Sequence, residues 1–332
     1  PAVDLAESLA QASARYHWGP WERFVSAPSA FFLAPGDGTL HLLCGIATLG
    51  SLMLVAGALP GPALLLYIVG WGSVVAVGGV FTGYQWDIFN VEVAFASLLV
   101  APWSLRLSES RPPAMAGIWA LRGLLWKFML LGGVVKWNSG DPSWRDLTAL
   151  RYHFWTQPIP HGLSWWAHQA PELLLRGAVV TMFVVELVLP WFIFGPRRAR
   201  HIAAIGTVAL MTGILATGNY GTFNLLTVVL CIPLLDDGLL RSSRKVASAL
   251  KPPSVKDRLG RTGILSAALC LLLLDLCHVA RRADPELTLP APVTQVTRWA
   301  RQLKISSSYG AFAQMTKTRP EIALEVSDDG TK

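Results

Sequence analysis

The sequence predicts an all-α polytopic membrane protein with about eight transmembrane helices, followed by a truncated C-terminal extracytoplasmic β domain. Three observations predict it. Of 332 residues, 52% are hydrophobic and 15% charged, where an average soluble domain carries roughly 25% charge. Eight apolar runs approach the ~20 residues that a helix needs to cross a bilayer. Basic residues gather in the links between those runs, the pattern that keeps such links in the cytoplasm. A net charge of +7 also suits nucleic-acid binding, but no aromatic-interleaved basic stripe accompanies it, and that class is set aside.

Residues 1–38 read as an extracytoplasmic or interfacial segment, anchored at headgroup level by Trp18, Trp21, Phe31 and Phe32. The chain starts at Pro1 without a methionine or a signal sequence, so it reads as processed or as part of something longer. Within 39–136 the spans are 39–59, 63–81, 88–103 and 114–136. Pro60-Gly61-Pro62 reads as the turn between the first two, and Gly70, Gly72, Gly78 and Gly79 as a small-residue face for close packing. Within 173–280 the spans are 173–195, 199–217, 221–235 and 262–280. The third and seventh are short, and the seventh is compatible with a re-entrant segment. Cys44, Cys231, Cys270 and Cys277 lie inside apolar runs with no CxxC, which reads as small buried side chains rather than disulfides.

The basic links are 104–113, with Arg106 and Arg111; 196–200, with Arg197, Arg198 and Arg200; and 236–261, with seven Lys and Arg. Placing them in the cytoplasm puts both termini and segment 137–172 on the opposite side. Residues 281–332 read as the start of an extracytoplasmic domain. Val293, Val296, Ala300 and Leu303 recur at helical spacing. "PEIALEV" alternates as a strand and "SDDG" is a hairpin turn, so 318–332 is expected to be a strand with an unpaired edge.

Segment 139–171, "SGDPSWRDLTALRYHFWTQPIPHGLSWWAHQAP", is too polar and proline-rich to cross a bilayer, and too rich in tryptophan for an indifferent linker. Asp141-Pro142 starts a helix over Ser143–His153. The prolines after Gln157 end it, and a second stretch runs from Ser164 to Gln169. Trp144, Trp155, Trp165 and Trp166 suit a membrane interface, so the segment reads as a folded cap over the outer end of the bundle. His153, His161 and His168 lie eight and seven apart, which matches no common metal-ligand spacing. No G-x-S-x-G elbow supports a serine nucleophile, and no phosphate-cradling glycine loop is present. Neither a metal, a cofactor nor a catalytic residue is implied.

The stretch "VVKWNSGDPSWRDLTALRYHFWTQPIPHGLSWWAHQAP" resembles the signature of the lipase maturation factor family. "FTGYQWDIFNVEVAFASLLVAP", "GNYGTFNLLTVVL" and "SSYGAFAQMTKTRPEIALEVSDDG" are similar to the family's QWD helix start, a later membrane segment and the opening of its β-rich domain. The resemblance implies a membrane protein that, in animals, resides in the endoplasmic reticulum and helps secreted lipases fold and assemble. It also implies a distant similarity to the vitamin K-dependent carboxylases. The expected partners are the lipid bilayer and a secreted client protein, and the arginine-over-lysine composition points to a bacterial inner membrane. Client-binding or motif candidates are Asp141, Trp144, Arg145, Thr148, Tyr152, His153, Gln157, Pro158 and Trp165. Phe154-Trp155 stands where the family motif has Tyr-Glu, so a role for that carboxylate is not carried over. The alternative functions are a membrane enzyme acting on a lipid or quinone-like substrate, with Lys127 or His153 as its titratable group, and a transporter.

Charges inside the spans are informative because leaving one unpaired in lipid costs at least ~2.5 kcal/mol. The intramembrane polar candidates are Asp87, Glu92, Arg122, Lys127, Lys136, Glu186 and Asn224. Asp87 reads as a helix N-terminal cap, and Asp275 and His278 as a mutually satisfying pair three residues apart. Depth along the helices, at ~1.5 Å per residue, pairs Arg122 with Glu186 and Lys127 with Glu92.

Overall fold

A computed structural model describes residues 19–106, 112–236 and 255–322, together with Gln11 and Ala14. Expectations for Trp18, Arg111, 237–254 and 323–332 fall outside those residues. The described helices are α1 (Pro20–Ser26), α2 (Asp37–Val55), α3 (Pro60–Val77), α4 (Gln85–Ser97), α5 (Met115–Asn138), α6 (Pro142–Arg145) and α7 (Leu150–Thr156). They continue as α8 (Gly162–His168), α9 (Glu172–Phe192), α10 (Arg197–Thr217), α11 (Phe223–Val229), α12 (Val255–Ala283) and α13 (Ala291–Gln302). The chain is an all-α membrane protein. Among the described residues six helices are long and apolar enough to cross a bilayer: α2, α3, α5, α9, α10 and the Gly260–Ala283 part of α12.

The expected count of eight spanning helices fails at α4 and α11, which hold 13 and 7 helical residues. Each continues as non-helical chain alongside a full-length neighbour. After α4 the chain reaches the far end of α3, where Pro102 and Leu105 carbonyls accept the Gly61 and Leu59 N–H groups at 3.1 and 2.9 Å. After α11, a 3₁₀ turn (Ile232–Leu234) reaches the start of α10, where Asp236 pairs with Arg197 at 2.6 Å. The non-helical carbonyls are satisfied by arginines, Arg122 Nε on Pro233 at 2.9 Å and Arg200 Nε on Leu234 at 3.4 Å. Non-helical backbone at this depth is tolerated because protein groups bond it.

The α2–α3 turn is Gly57 and Leu59, both at positive φ (67° and 45°). Pro60 is not in the turn but opens α3, where its missing N–H costs nothing. Of the four glycines expected to line a packing face, Gly70 does so. A β-carbon there would stand 2.6 Å from the Leu43 carbonyl and the Ala47 nitrogen of α2. Gly78 and Gly79 instead shape the bend after α3. Phe31 is not an interface anchor. It is fully buried against Leu43 and Val77, held there because the Ser29 hydroxyl donates to the Ser73 carbonyl. Trp21 is exposed and meets Trp299 of α13 edge-on. The cysteines are free, and Cys44 and Cys270 are exposed rather than buried.

The described residues form no strand beyond the isolated Ala58–Arg106 bridge. Ile322 is exposed and outside any ladder, so a β domain has no structural counterpart among them. The main core centres on α5, whose Leu124, Leu125, Met129 and Leu131 are buried on several sides.

Candidate functional site

One end of the bundle is closed by the segment between α5 and α9. α5 and α12 stop level with each other, because the Asn138 amide donates to the Arg282 and Ala283 carbonyls. Asp141 then caps α6, its Oδ1 accepting the Ser143 N–H at 2.9 Å, and Pro142 fills the first helical position. The expected single helix from Ser143 to His153 is two helices, broken where Leu147 takes a left-handed φ of 59°. Pro158 and Pro160 end α7, and a capping box of His161 and Ser164 starts α8 two residues earlier than expected. Trp144 is buried, while Trp155, Trp165 and Trp166 face outward. Trp155 takes no ionic role, and its indole N–H donates to the Arg151 carbonyl.

The tail after α13 threads beneath this cap as a strap. The Ser307 N–H and the Tyr309 hydroxyl donate to Glu92 on α4. The Gly310 N–H donates to Gln85 at 2.9 Å. The Trp144 indole N–H donates to the Phe312 and Ala313 carbonyls at 3.0 and 3.2 Å, and the Met315 N–H to Asp141 at 2.6 Å. Burial works to raise the Asp141 carboxyl, but the Met315 and Ser143 N–H groups outweigh it and hold it below the usual carboxylate range. No periodicity in "SSSYGAFAQM" signals this role, so the strap was invisible in the sequence.

The buried charges close in two clusters. Lys127 meets Glu92, as depth along the helices predicts, and also Asp275 at 2.7 Å and the Ser306 hydroxyl at 3.2 Å. Asp275 and His278 therefore do not serve each other: Asp275 also accepts the Ser306 hydroxyl, and His278 Nε2 lies 3.2 Å from the Ser306 carbonyl. Arg122 does not meet Glu186. Its guanidinium lies over Trp119 and its Nε bonds Pro233.

Glu186 instead holds Lys136 with both oxygens, at 2.8 and 2.7 Å. The depth reckoning fails because the first three turns of α9 stand beyond the end of α5. Phe183, well inside α9, already packs on Trp137 near the end of α5. A π-helical turn at Val184–Val188 also re-aims Glu186. Pro190 has no N–H for the Glu186 carbonyl, so the helix takes the wider register there.

Between strap, cap and helices lies a cavity of about 700 Å³. Its walls are mainly aromatic, with Trp86, Phe128, Phe223, Tyr309 and Phe312 prominent, and Lys136, Glu186 and Asn224 are its buried polar groups. Neither Lys127 nor His153 lines it. His153 stands just behind, 3.4 Å from the Tyr220 hydroxyl and edge-on to Phe312. Burial, with a smaller push from Lys136, lowers its pKa to about 4, so it is neutral at physiological pH. Gln157 ties the cap to α10 by donating to the Thr217 carbonyl at 2.7 Å, and accepts the Tyr220 hydroxyl at 2.8 Å.

The motif candidates divide accordingly. Asp141, Trp144, Gln157 and His153 hold the cap and strap, and Pro158 lines the cavity. Thr148 joins α6 to α7 through its N–H on the Ser143 carbonyl. Tyr152 receives Lys317 over its ring at 5.7 Å, and Arg145 and Trp165 face outward. Asp87 is a buried residue in the first turn of α4; its N–H donates to the Tyr84 carbonyl at 3.2 Å, and no side-chain cap bond forms at that helix start. No group of metal-ligating side chains occurs among the described residues.

The cap and the helices up to α11 lie within a match to known proteins. The family model for the lipase maturation factor transmembrane domain matches residues 5–242. Lipase maturation factor 2 of Xenopus laevis is 40% identical over 230 residues, covering 66% of this chain and 32% of that protein. The Gallus gallus protein of the same name is 37% identical over 253 residues, covering 71% and 35%. Human lipase maturation factor 1 is 28% identical over 330 residues, covering 92% and 56%. The chain thus spans about a third of the factor 2 relatives and just over half of that factor 1. No solved structure matches it. With most of its length inside the family's membrane domain, the chain belongs to the lipase maturation factor family.

Proposed function

We propose that this protein is a membrane-embedded maturation factor that assists the folding and assembly of exported lipases or other exported proteins. The observation that carries the reading is the cap. The family's signature segment folds as a braced platform, and its outward face presents Leu163, Trp165 and Trp166, each more than half exposed. Exposed apolar surface on a fixed scaffold suits transient contact with an unfinished client. The basic links support an extracytoplasmic position for the cap. Counting α4 and α11 with their non-helical continuations gives eight crossings, which restores the alternation. The arginine-rich composition supports a bacterial inner membrane. The test is removal of the gene, followed by measurement of exported lipase activity per unit of exported lipase antigen. A fall in that ratio, restored by the wild-type gene, supports the reading, and an unchanged ratio for every exported lipase sinks it.

A membrane enzyme acting on a lipid-like substrate is the second reading, and the cavity favours it. Its titratable groups would be Lys136 and Glu186, since Lys127 is wholly enclosed. A turnover assay on membrane lipid extracts that shows no product with purified full-length protein would count against this reading and leave the first intact.

A further inference from the structure

The cavity carries its own chemical specification. Its charged floor is neutral as a pair. Lys136 directs its ammonium at both Glu186 oxygens and at the Gly132 carbonyl, 3.3 Å away, so its three donors are engaged. Glu186 keeps lone pairs beyond the two that Lys136 uses. Asn224 spends one N–H on the Met211 carbonyl at 3.1 Å, which leaves its Oδ1 and second N–H to a ligand. An anionic head would face Glu186 and a cationic one Lys136, and each would disturb a buried pair that is costly to break. A hydroxyl satisfies both open groups: it donates to Glu186 and accepts the second N–H of Asn224.

The rest of the cavity is apolar. Aromatic rings form its sides, and Met129 and Met211 give it flexible walls that adapt to a chain. Exposed Tyr84 and Ile159 stand at its rim, so an apolar tail has a way out of the cavity there. The volume falls within the ~300–1,000 Å³ of small-molecule sites. We propose that this cavity binds an uncharged, hydroxyl-headed, single-chain amphiphile of the long-chain alcohol or monoacylglycerol class. The head lies against Glu186 and Asn224, with the chain between Trp86, Phe223 and Phe312. This assignment rests on the cavity and not on the maturation reading.

The test uses full-length protein in detergent micelles and a monoacylglycerol that carries a diazirine in its chain and a terminal alkyne. After illumination, peptide mass spectrometry locates the label. The expected label falls on the segments holding Met129, Met211 and Phe223, and excess unlabelled monoacylglycerol removes it. Met211→Trp and Ile214→Trp, which fill the cavity from two sides, each lower that labelling about tenfold, the effect of ~1.4 kcal/mol. The same probe as a free carboxylate labels the cavity about tenfold less. Label confined to the outer faces of the helices overturns the proposal. So does cavity label that resists competition in the wild-type protein, a measurement that needs no variant to fold. Equal labelling by the carboxylate overturns the choice of an uncharged head.

Discussion

Lys127→Met tests the energetics of the bundle most sharply. Lys127 has no exposed surface, and its ammonium is the counter-charge shared by Glu92 and Asp275. Methionine keeps the length of the side chain but leaves two carboxylates in a dry site. Removing one partner of a buried ion pair costs about 3–5 kcal/mol. Two features of the site limit the loss. Tyr309, Ser307 and Ser306 still donate to the carboxylates. Protonating one carboxyl at neutral pH, about three pH units above its ordinary pKa, costs ~4 kcal/mol and sets a ceiling. The expected destabilisation is therefore about 3–4 kcal/mol. It is read from denaturant-driven unfolding of the full-length protein in mild detergent, followed by far-UV circular dichroism and tryptophan fluorescence. Adding Glu92→Gln and Asp275→Asn to Lys127→Met should recover more than half of it, because the neutral side chains no longer need a cation. A Lys127→Met protein within about 0.5 kcal/mol of wild type refutes the reasoning, as does a triple variant no better than the single one.

Gly70→Leu should separate α2 from α3 and cost more than ~3 kcal/mol, since the β-carbon alone would meet backbone at 2.6 Å. Gly213→Ala, where a β-carbon meets nothing, is its near-neutral control, and equal unfolding midpoints for the two would contradict the packing. His153 has its folded pKa lowered to about 4 from 6.5, so the neutral form is stabilised. The cap should hold full stability above pH 6.5 and lose about 2 kcal/mol as the pH falls toward 4, the partial exposure of the ring reducing the full linkage value of ~3. Hydrogen exchange in α7 measures it, and a His153→Phe protein with the same pH dependence would rule it out. For orientation, Ser143 and Ser164 are unsuitable labelling sites because both are buried. Gln169→Cys and Arg198→Cys, in a protein whose own cysteines are alanine, should react with an impermeant thiol reagent from opposite sides of the membrane. Labelling of both from one side removes the assigned topology.

What the sequence reveals follows from what is local. α2, α3, α5, α9, α10 and α12 were legible because each is an apolar run of about the length the bilayer demands. α4 and α11 were legible as apolar but not as short helices. The end of α11 depends on Arg122 and Arg200, and the end of α4 on the Leu59 and Gly61 N–H groups, all of which arrive from other segments. Helix ends in the cap could be read from Asp141, Pro158 and Pro160, whereas the break at Leu147 could not, because leucine carries no signal for positive φ. Lys127 and Glu92 were paired correctly because α4 and α5 run level. Arg122 and Glu186 were mispaired because α9 overshoots α5, a register that packing sets. Of the site, the motif residues were visible. The cavity was not, since strap residues from beyond position 300 close it.

The claim that the cap meets unfinished exported protein is tested most directly by a photo-crosslinking amino acid at Trp166 of the full-length protein, compared with one at Leu52, which is equally exposed but lies on the spanning helix α2. During a pulse of lipase synthesis, position 166 should crosslink to newly made lipase, and the adduct should decline in the chase as lipase activity appears. Crosslinks from 166 to lipid alone, or lipase adducts equally abundant from Leu52, would contradict it.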